Sequence, residues 1–221
     1  LSISGTSSRP HLIGRIEMPD AALTLAHNGM RLDHIVAYLD ARRNRVDVDK
    51  FRFQVGPARY EMTNTSLDVD GLDPVLLRTS MTVTNGSVEA WFPTPANGES
   101  AVVTSVTGTV AAFVDVEALR REGLLTRAAT GSELFERAVR LISHVQGEAR
   151  LSSLSVGWLG YDLANAPDTP VKLSFEDGVL SLDQVELRQL QGDRPDRHAE
   201  VRASGTWSIG GELDVDVGGT L

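Results

Sequence analysis

Cysteine is absent from the 221 residues. Its absence removes disulfides, thiolate catalysis and cysteine-based zinc sites together, and neither requires nor excludes an oxidising compartment. Lysine occurs only at Lys50 and Lys172 among 21 cationic side chains, and the formal net charge is −9. Nucleic-acid binding draws on counterion release from a clustered cationic face, which this chain lacks, and no polybasic patch exists to hold an anionic membrane surface. No apolar run reaches the roughly 18 residues of a membrane-spanning helix. Any signal or membrane anchor is therefore expected outside this segment. The chain opens on the strand-like Leu1-Ser2-Ile3-Ser4-Gly5 and closes on another strand word, the pattern expected of a fragment of a larger protein.

Catalytic signatures are missing as well. His11, His27, His34, His144 and His198 are scattered without H-x-x-x-H spacing, and there is no G-x-S-x-G nucleophile elbow. Asp68-Val69-Asp70-Gly71 imitates the start of a calcium loop, but the final ligand position falls on Thr79 rather than Glu. Paired acids such as Asp47 and Asp49 recur wherever a strand has a wet face, as simple solvation would produce. No catalytic residue, metal site or cofactor is assigned, and the chain is not expected to be an enzyme.

What the sequence does hold is alternation. Val46-Asp47-Val48-Asp49, Leu67-Asp68-Val69-Asp70-Gly71 and Leu213-Asp214-Val215-Asp216-Val217-Gly218 each place apolar residues on one strand face and charged residues on the other. Strand words at Leu12 to Met18, Ala21 to Leu25, Arg45 to Val55, Arg59 to Val69, Leu77 to Thr84 and Val88 to Phe92 are separated by turn residues, and strands resume from Ala149. Asn85-Gly86 is the strongest two-residue hairpin signal. Between the strands, Asp115 to Leu125 and Ser132 to Gln146 carry helical spacing and define a helical insert at 115–147. Gly147 reads as the stop of the second helix, whose face of Leu134, Ala138, Leu141, Ile142 and Val145 is expected to cap the end of the sheet.

An internal repeat adds a bend. Arg45 to Phe53 aligns without a gap on Val179 to Leu187, and in both copies two apolar residues two apart are followed by a three-residue step to two more. The step flips the alternation at Asp49-Lys50 and Asp183-Gln184, which predicts a bulge that keeps one face inward while the sheet turns. Val46, Val48, Phe51, Phe53, Leu180, Leu182, Val185 and Leu187 are then inward, joined by Leu67, Val69, Leu213 and Val215 from the other alternating words. Asp47, Arg52, Ser181 and Glu186 face solvent. The fold class is mainly β: one elongated, bent antiparallel sheet over 1–221. Roughly fourteen strands at about 4.8 Å each give a length of about 65–70 Å.

Several stretches resemble the AsmA-like family, in its translocation and assembly module type: Ser4-Gly5-Thr6-Ser7-Ser8-Arg9-Pro10-His11-Leu12-Ile13-Gly14-Arg15-Ile16, Gly29-Met30-Arg31-Leu32-Asp33-His34-Ile35, Gly178-Val179-Leu180-Ser181-Leu182, Ser204-Gly205-Thr206 and Gly211-Glu212-Leu213-Asp214-Val215. The resemblance covers most of the chain except the helical insert, which departs from the family pattern. It implies a β-taco, a U-shaped trough with an apolar interior, anchored at the inner membrane and reaching through the periplasm. It also implies phospholipid as cargo and an outer-membrane barrel assembly partner. On this reading the twelve inward residues line a lipid groove, where each buried methylene contributes about 0.8 kcal/mol. The alternative from another class is a carbohydrate-binding or adhesion β-solenoid domain, with Trp91-Phe92, Trp158, Tyr161 and Trp207 as the aromatic platform.

Overall fold

Period-two alternation cut by turn residues leaves the chain little choice but antiparallel strands, and the computed structural model contains fourteen of them in one sheet. It describes residues 2–6, 9–25, 29–87, 102–124, 140–141, 143–158, 161–189, 199–208 and 213–220. The strands are β1 (Ser2–Thr6), β2 (Arg9–Met18), β3 (Leu23–Thr24), β4 (Arg31–Arg43), β5 (Arg45–Val55), β6 (Ala58–Asp70), β7 (Asp73–Gly86), β8 (Val102–Asp115), β9 (Val145–Trp158), β10 (Tyr161–Asn165), β11 (Val171–Glu176), β12 (Val179–Gln189), β13 (Glu200–Ser208) and β14 (Leu213–Thr220). Strands consecutive in the chain pair with each other except at two places. β3 shares the outer side of β4 with β2, and β10 and β11 together fill the place between β9 and β12. Fourteen strands therefore make twelve rows, about 53 Å from first to last at the usual strand spacing and shorter than the expected 65–70 Å.

Turn chemistry fixes the register. Gly56, at φ 54, precedes Pro57 in the two-residue loop between Val55 and Ala58, the placement of glycine in a type II′ turn. Asp177 and Gly178, at φ 49 and 75, join β11 to β12 with both central residues left-handed, as a type I′ turn needs. The expected hairpin at Asn85-Gly86 is instead a bulge inside β7. Gly86 pairs with Val106, and the register shifts between Val83 and Gly86. A Cβ on Gly86 would come within 2.5 Å of a Val83 methyl and 3.0 Å of a Val106 methyl, so packing rather than turning selects the glycine. The strand expected at Val88 to Phe92 lies outside the described residues.

Both sites of phase flip are bulges. Tyr38 pairs with Lys50 and Leu39 with Val48, which leaves Asp49 as the extra residue of β5 against β4. Leu182 pairs with Gly205 and Val185 with Ala203, so Asp183-Gln184 on β12 opposes the single Ser204.

The first expected helix is present but shorter, as α1 (Val116–Arg121). Asp115 caps it by accepting a hydrogen bond from the Ala118 N–H at 2.8 Å. Gly123, at φ 71, ends it: its N–H donates to Arg120 O and the Leu124 N–H donates to Leu119 O, a Schellman stop with Leu119 and Leu124 both buried. In the second expected helix, Leu134, Ala138 and Ile142 lie outside the described residues, and Leu141 is half-buried at a helical position. Val145 and Gln146 belong to β9, paired with Val114 and Phe113. Gly147 is not a helix stop either: it sits in the ladder opposite Ala112, where a Cβ would lie 2.8 Å from the Ala112 Cα.

Burial is concentrated in two clusters. One gathers Ile35, Phe53, Ala58, Tyr60 and Val83, with Phe53 stacked on Tyr60 at 4.8 Å between ring centres and Phe51 edge-on to Phe53. The other gathers Leu163, Val171, Val185, Leu187 and Ala199. The accessible surface is 14172 Å², against about 9,900 Å² expected of a compact monomer of this mass.

Candidate functional site

Directly paired residues of an antiparallel ladder point to the same side of the sheet, so the registers can be followed from strand to strand. One row runs Met18, Ala37, Phe51, Met62, Met81, Val110, Ala149, Leu173, Leu182, Gly205, Val215. It crosses from β2 to β14 without one polar residue. A parallel row runs Ala41, Val46, Leu67, Leu77, Val114, Val145. Along these two rows one face of the sheet is apolar.

Ten of the twelve residues expected in the groove lie on that face, and Leu213 and Val215 hold the matching ladder positions of β14. Val46 and Leu67 share the second row, and Phe51, Leu182 and Val215 share the first. Val48 pairs with Thr65 beside them, and Val69 follows Leu67 two residues on. Phe53 pairs with Tyr60, Leu180 with Phe175 and Trp207, Val185 with Ala203, Leu187 with Val201, and Leu213 with Trp207. Val145, expected on the capping helix, joins them through Val114. Phe53, Val185 and Leu187 are buried, whereas Val46, Val48, Phe51, Leu67, Val69, Leu180 and Leu182 are only half-buried. Exposure rises towards the two ends of the sheet, to 41% at Ile16, 40% at Met18 and 64% at Val217. Sequence reasoning missed Met62, Met81, Val110 and Leu173, because the small or polar residues around them blur the alternation.

Among the described residues Thr65, Thr79, Asn165 and Gln189 interrupt the apolar side, and each is hydrogen-bonded within the sheet. The hydroxyls of Thr65 and Thr79 bond each other at 2.8 Å. Asn165 is buried beside Leu187 and spends its amide on backbone groups: its Oδ1 accepts from the Leu154 N–H, and its Nδ2 donates to the carbonyls of Ser152, Ala166 and Thr169.

The opposite face is ionic, and it explains the preference for arginine. Side chains two apart on a strand share a face, and the planar guanidinium fits a carboxylate at that spacing. Arg15 pairs with Glu17 at 3.0 Å, Arg31 with Asp33 at 2.7 Å, Arg42 with Asp40 and Arg45 with Asp47 at 2.6 Å, and Arg188 with Glu186 and Arg202 with Glu200 at 2.5 Å. The hydrogen bonds to Asp40 and Glu186 raise the pKa values of Arg42 and Arg188 from the ordinary arginine value. Asp68, which imitates a calcium ligand in sequence, accepts from Arg78 at 2.6 Å instead. Among the described residues no three His, Asp or Glu side chains are placed to hold a metal ion. Of the aromatic platform, Trp91 and Phe92 lie outside the described residues, and Tyr161 packs against the second cluster.

The arrangement offers an extended apolar surface of uniform chemistry rather than one pocket with convergent polar groups. No family model, curated protein or solved structure matches the chain.

Proposed function

We propose that the apolar face is the wall of an open, U-shaped trough that solvates phospholipid acyl chains, within a bridge-like protein that spans the periplasm and is held at the inner membrane through a segment outside this one. Lipid moves along such a trough between inner and outer membrane, and an outer-membrane barrel assembly partner receives the far end. The observation that carries the reading is the eleven-residue apolar row from β2 to β14. Its side chains are alike from end to end, so an acyl chain finds similar contacts at every position and no single site holds it. The half-burial of Val46, Val48, Phe51, Leu180 and Leu182 supports the same reading, since a face of this size left open to water marks an interaction surface. The AsmA-like resemblance of the sequence supplies the cellular setting.

A photo-crosslinking residue at Val48 or Leu182 in cells is expected to capture phospholipid, and the same residue at Asp47 or Ser181 is not. Equal capture from both faces, or from neither, defeats the trough. Glycan binding by purified protein that carries no lipid would instead establish the adhesion alternative.

A further inference from the structure

On the ionic face, six strand positions with Arg and Asp or Glu two residues apart close into ion pairs. Two positions with the same spacing, Arg59-x-Glu61 and Glu148-x-Arg150, stay open, and neither arginine side chain has an ion pair or hydrogen bond among the described residues. Both open arginines line cavities. Arg150 stands opposite Lys172 beside a cavity of about 290 Å³, but Glu148 and Asp183 line it too and balance the charge. Arg59 lines a larger cavity of about 450 Å³ together with Arg52, and there the balance differs.

In that cavity the lining carboxylate, Asp20, faces His34 Nδ1 at 3.6 Å. Arg52 stands directly opposite Glu61 on β6, and Arg59 is two residues from the same Glu61. Neither takes it. The two arginines occupy diagonal positions across β5 and β6, about 7–8 Å apart between Cα atoms, close enough for both guanidiniums to converge on one group. Gln54, directly paired with Arg59, adds an amide donor, and buried Val36 forms an apolar floor.

We propose that this cavity binds a phosphate group, held between Arg52 and Arg59. A carboxylate within reach already fails to hold either arginine. A tetrahedral dianion offers two guanidinium forks more acceptor edges and more charge than a single carboxylate does. A net charge of −9 repels extended polyanions and leaves a compact anion as the occupant. Arg52, Gln54 and Arg59 point to the face opposite the apolar rows, and Phe53 is the groove residue that also lines the cavity.

The test is calorimetric titration of the whole chain with inorganic phosphate and, separately, with monomeric dihexanoyl phosphatidate. Wild type is expected to bind at roughly millimolar concentration or below. Arg52→Gln with Arg59→Gln should weaken binding by more than about tenfold. Arg188→Gln, which opens a closed pair on the same face, should leave it unchanged. Asp20→Asn removes the one competing carboxylate of the lining and should tighten binding, a gain that misfolding cannot imitate. Tighter binding of phosphatidate than of inorganic phosphate identifies a lipid headgroup as the source, and equal binding identifies free phosphate. No binding by wild type, undiminished binding by the double variant, or loss in the double variant without the Asp20→Asn gain overturns the proposal.

Discussion

The Asn165 side chain takes the place of a missing strand for Leu154, accepting that residue's backbone N–H through Oδ1 at 2.6 Å. β9 pairs with β10 up to Ser155 and with β11 from Leu151, so residues 152–154 have no strand partner on that side. The turn closed by the Thr169 N–H on Ala166 O breaks the strand there, and the Asn165 amide fills the gap with four hydrogen bonds.

Asn165→Ala is therefore expected to destabilise the protein by about 2–4 kcal/mol, because it strands buried backbone groups as well as losing bonds. Asn165→Asp keeps an acceptor for Leu154 but sets a carboxylate against three carbonyls, and should cost about as much. Urea unfolding of both variants measures the difference. An Asp variant as stable as wild type would show that the donor half of the amide is dispensable.

The close approach at Gly147 predicts asymmetry between two glycines. Gly147→Ala puts a methyl 2.8 Å from the Ala112 Cα, and overpacking of that kind costs about 1–3 kcal/mol. Gly218 has nothing within 4 Å of the same methyl. Gly218→Ala should be neutral or stabilise by up to about 1 kcal/mol through the unfolded chain. Melting temperatures of the pair, moving in opposite directions or one unmoved, check the contrast.

The bulge at Asp183-Gln184 keeps Leu180, Leu182, Val185 and Leu187 on one side. Deleting Asp183 leaves Gln184 alone opposite Ser204, so strict alternation runs from Leu180 to Leu187, the same side chains stay inward and β12 loses its bend. The deletion variant should still unfold cooperatively but lose about 1–3 kcal/mol to the repacking that a straightened strand forces, while Asp183→Gly, which keeps the bulge, stays within about 1 kcal/mol of wild type. Near-ultraviolet circular dichroism during a urea titration separates the two.

The apolar and ionic faces should contribute unequally to stability. Phe53, buried and stacked on Tyr60, should cost about 3–5 kcal/mol when changed to Ala. Arg188→Gln opens an exposed pair with Glu186 and should cost less than about 1 kcal/mol. Comparable losses in the two variants would mean that the ionic ladder carries more of the fold than its exposure implies.

Where residues speak through local rules, the sequence was legible. The bounds of β5, Arg45–Val55, match the expected strand residue for residue, since Asn44 and Gly56-Pro57 punctuate it. Both bulges were legible as phase flips, because a period of two leaves no other way to keep valines, leucines and phenylalanines on one side. Val145 was misread because it fits two periods at once: spaced helically after Leu141, it also starts the alternation Val145, Gly147, Ala149, Leu151, whose small residues carry little hydrophobic signal. The role of Asn165 was hidden for a different reason. It depends on a break in one strand meeting unpaired backbone in another, and no spacing along the chain records that meeting. Arg52 was legible only as solvent-facing, and its diagonal placement beside Arg59 was not, since that is set across β5 and β6.

Every row of the sheet pairs only with rows adjacent in the chain. A mechanical load applied between β1 and β14 would therefore run along the inter-strand hydrogen bonds, which lie perpendicular to the strands, and would open one row at a time like a zip. The sheet should yield gradually from its edges under tension, with its middle rows last to part, and release its length in strand-sized steps.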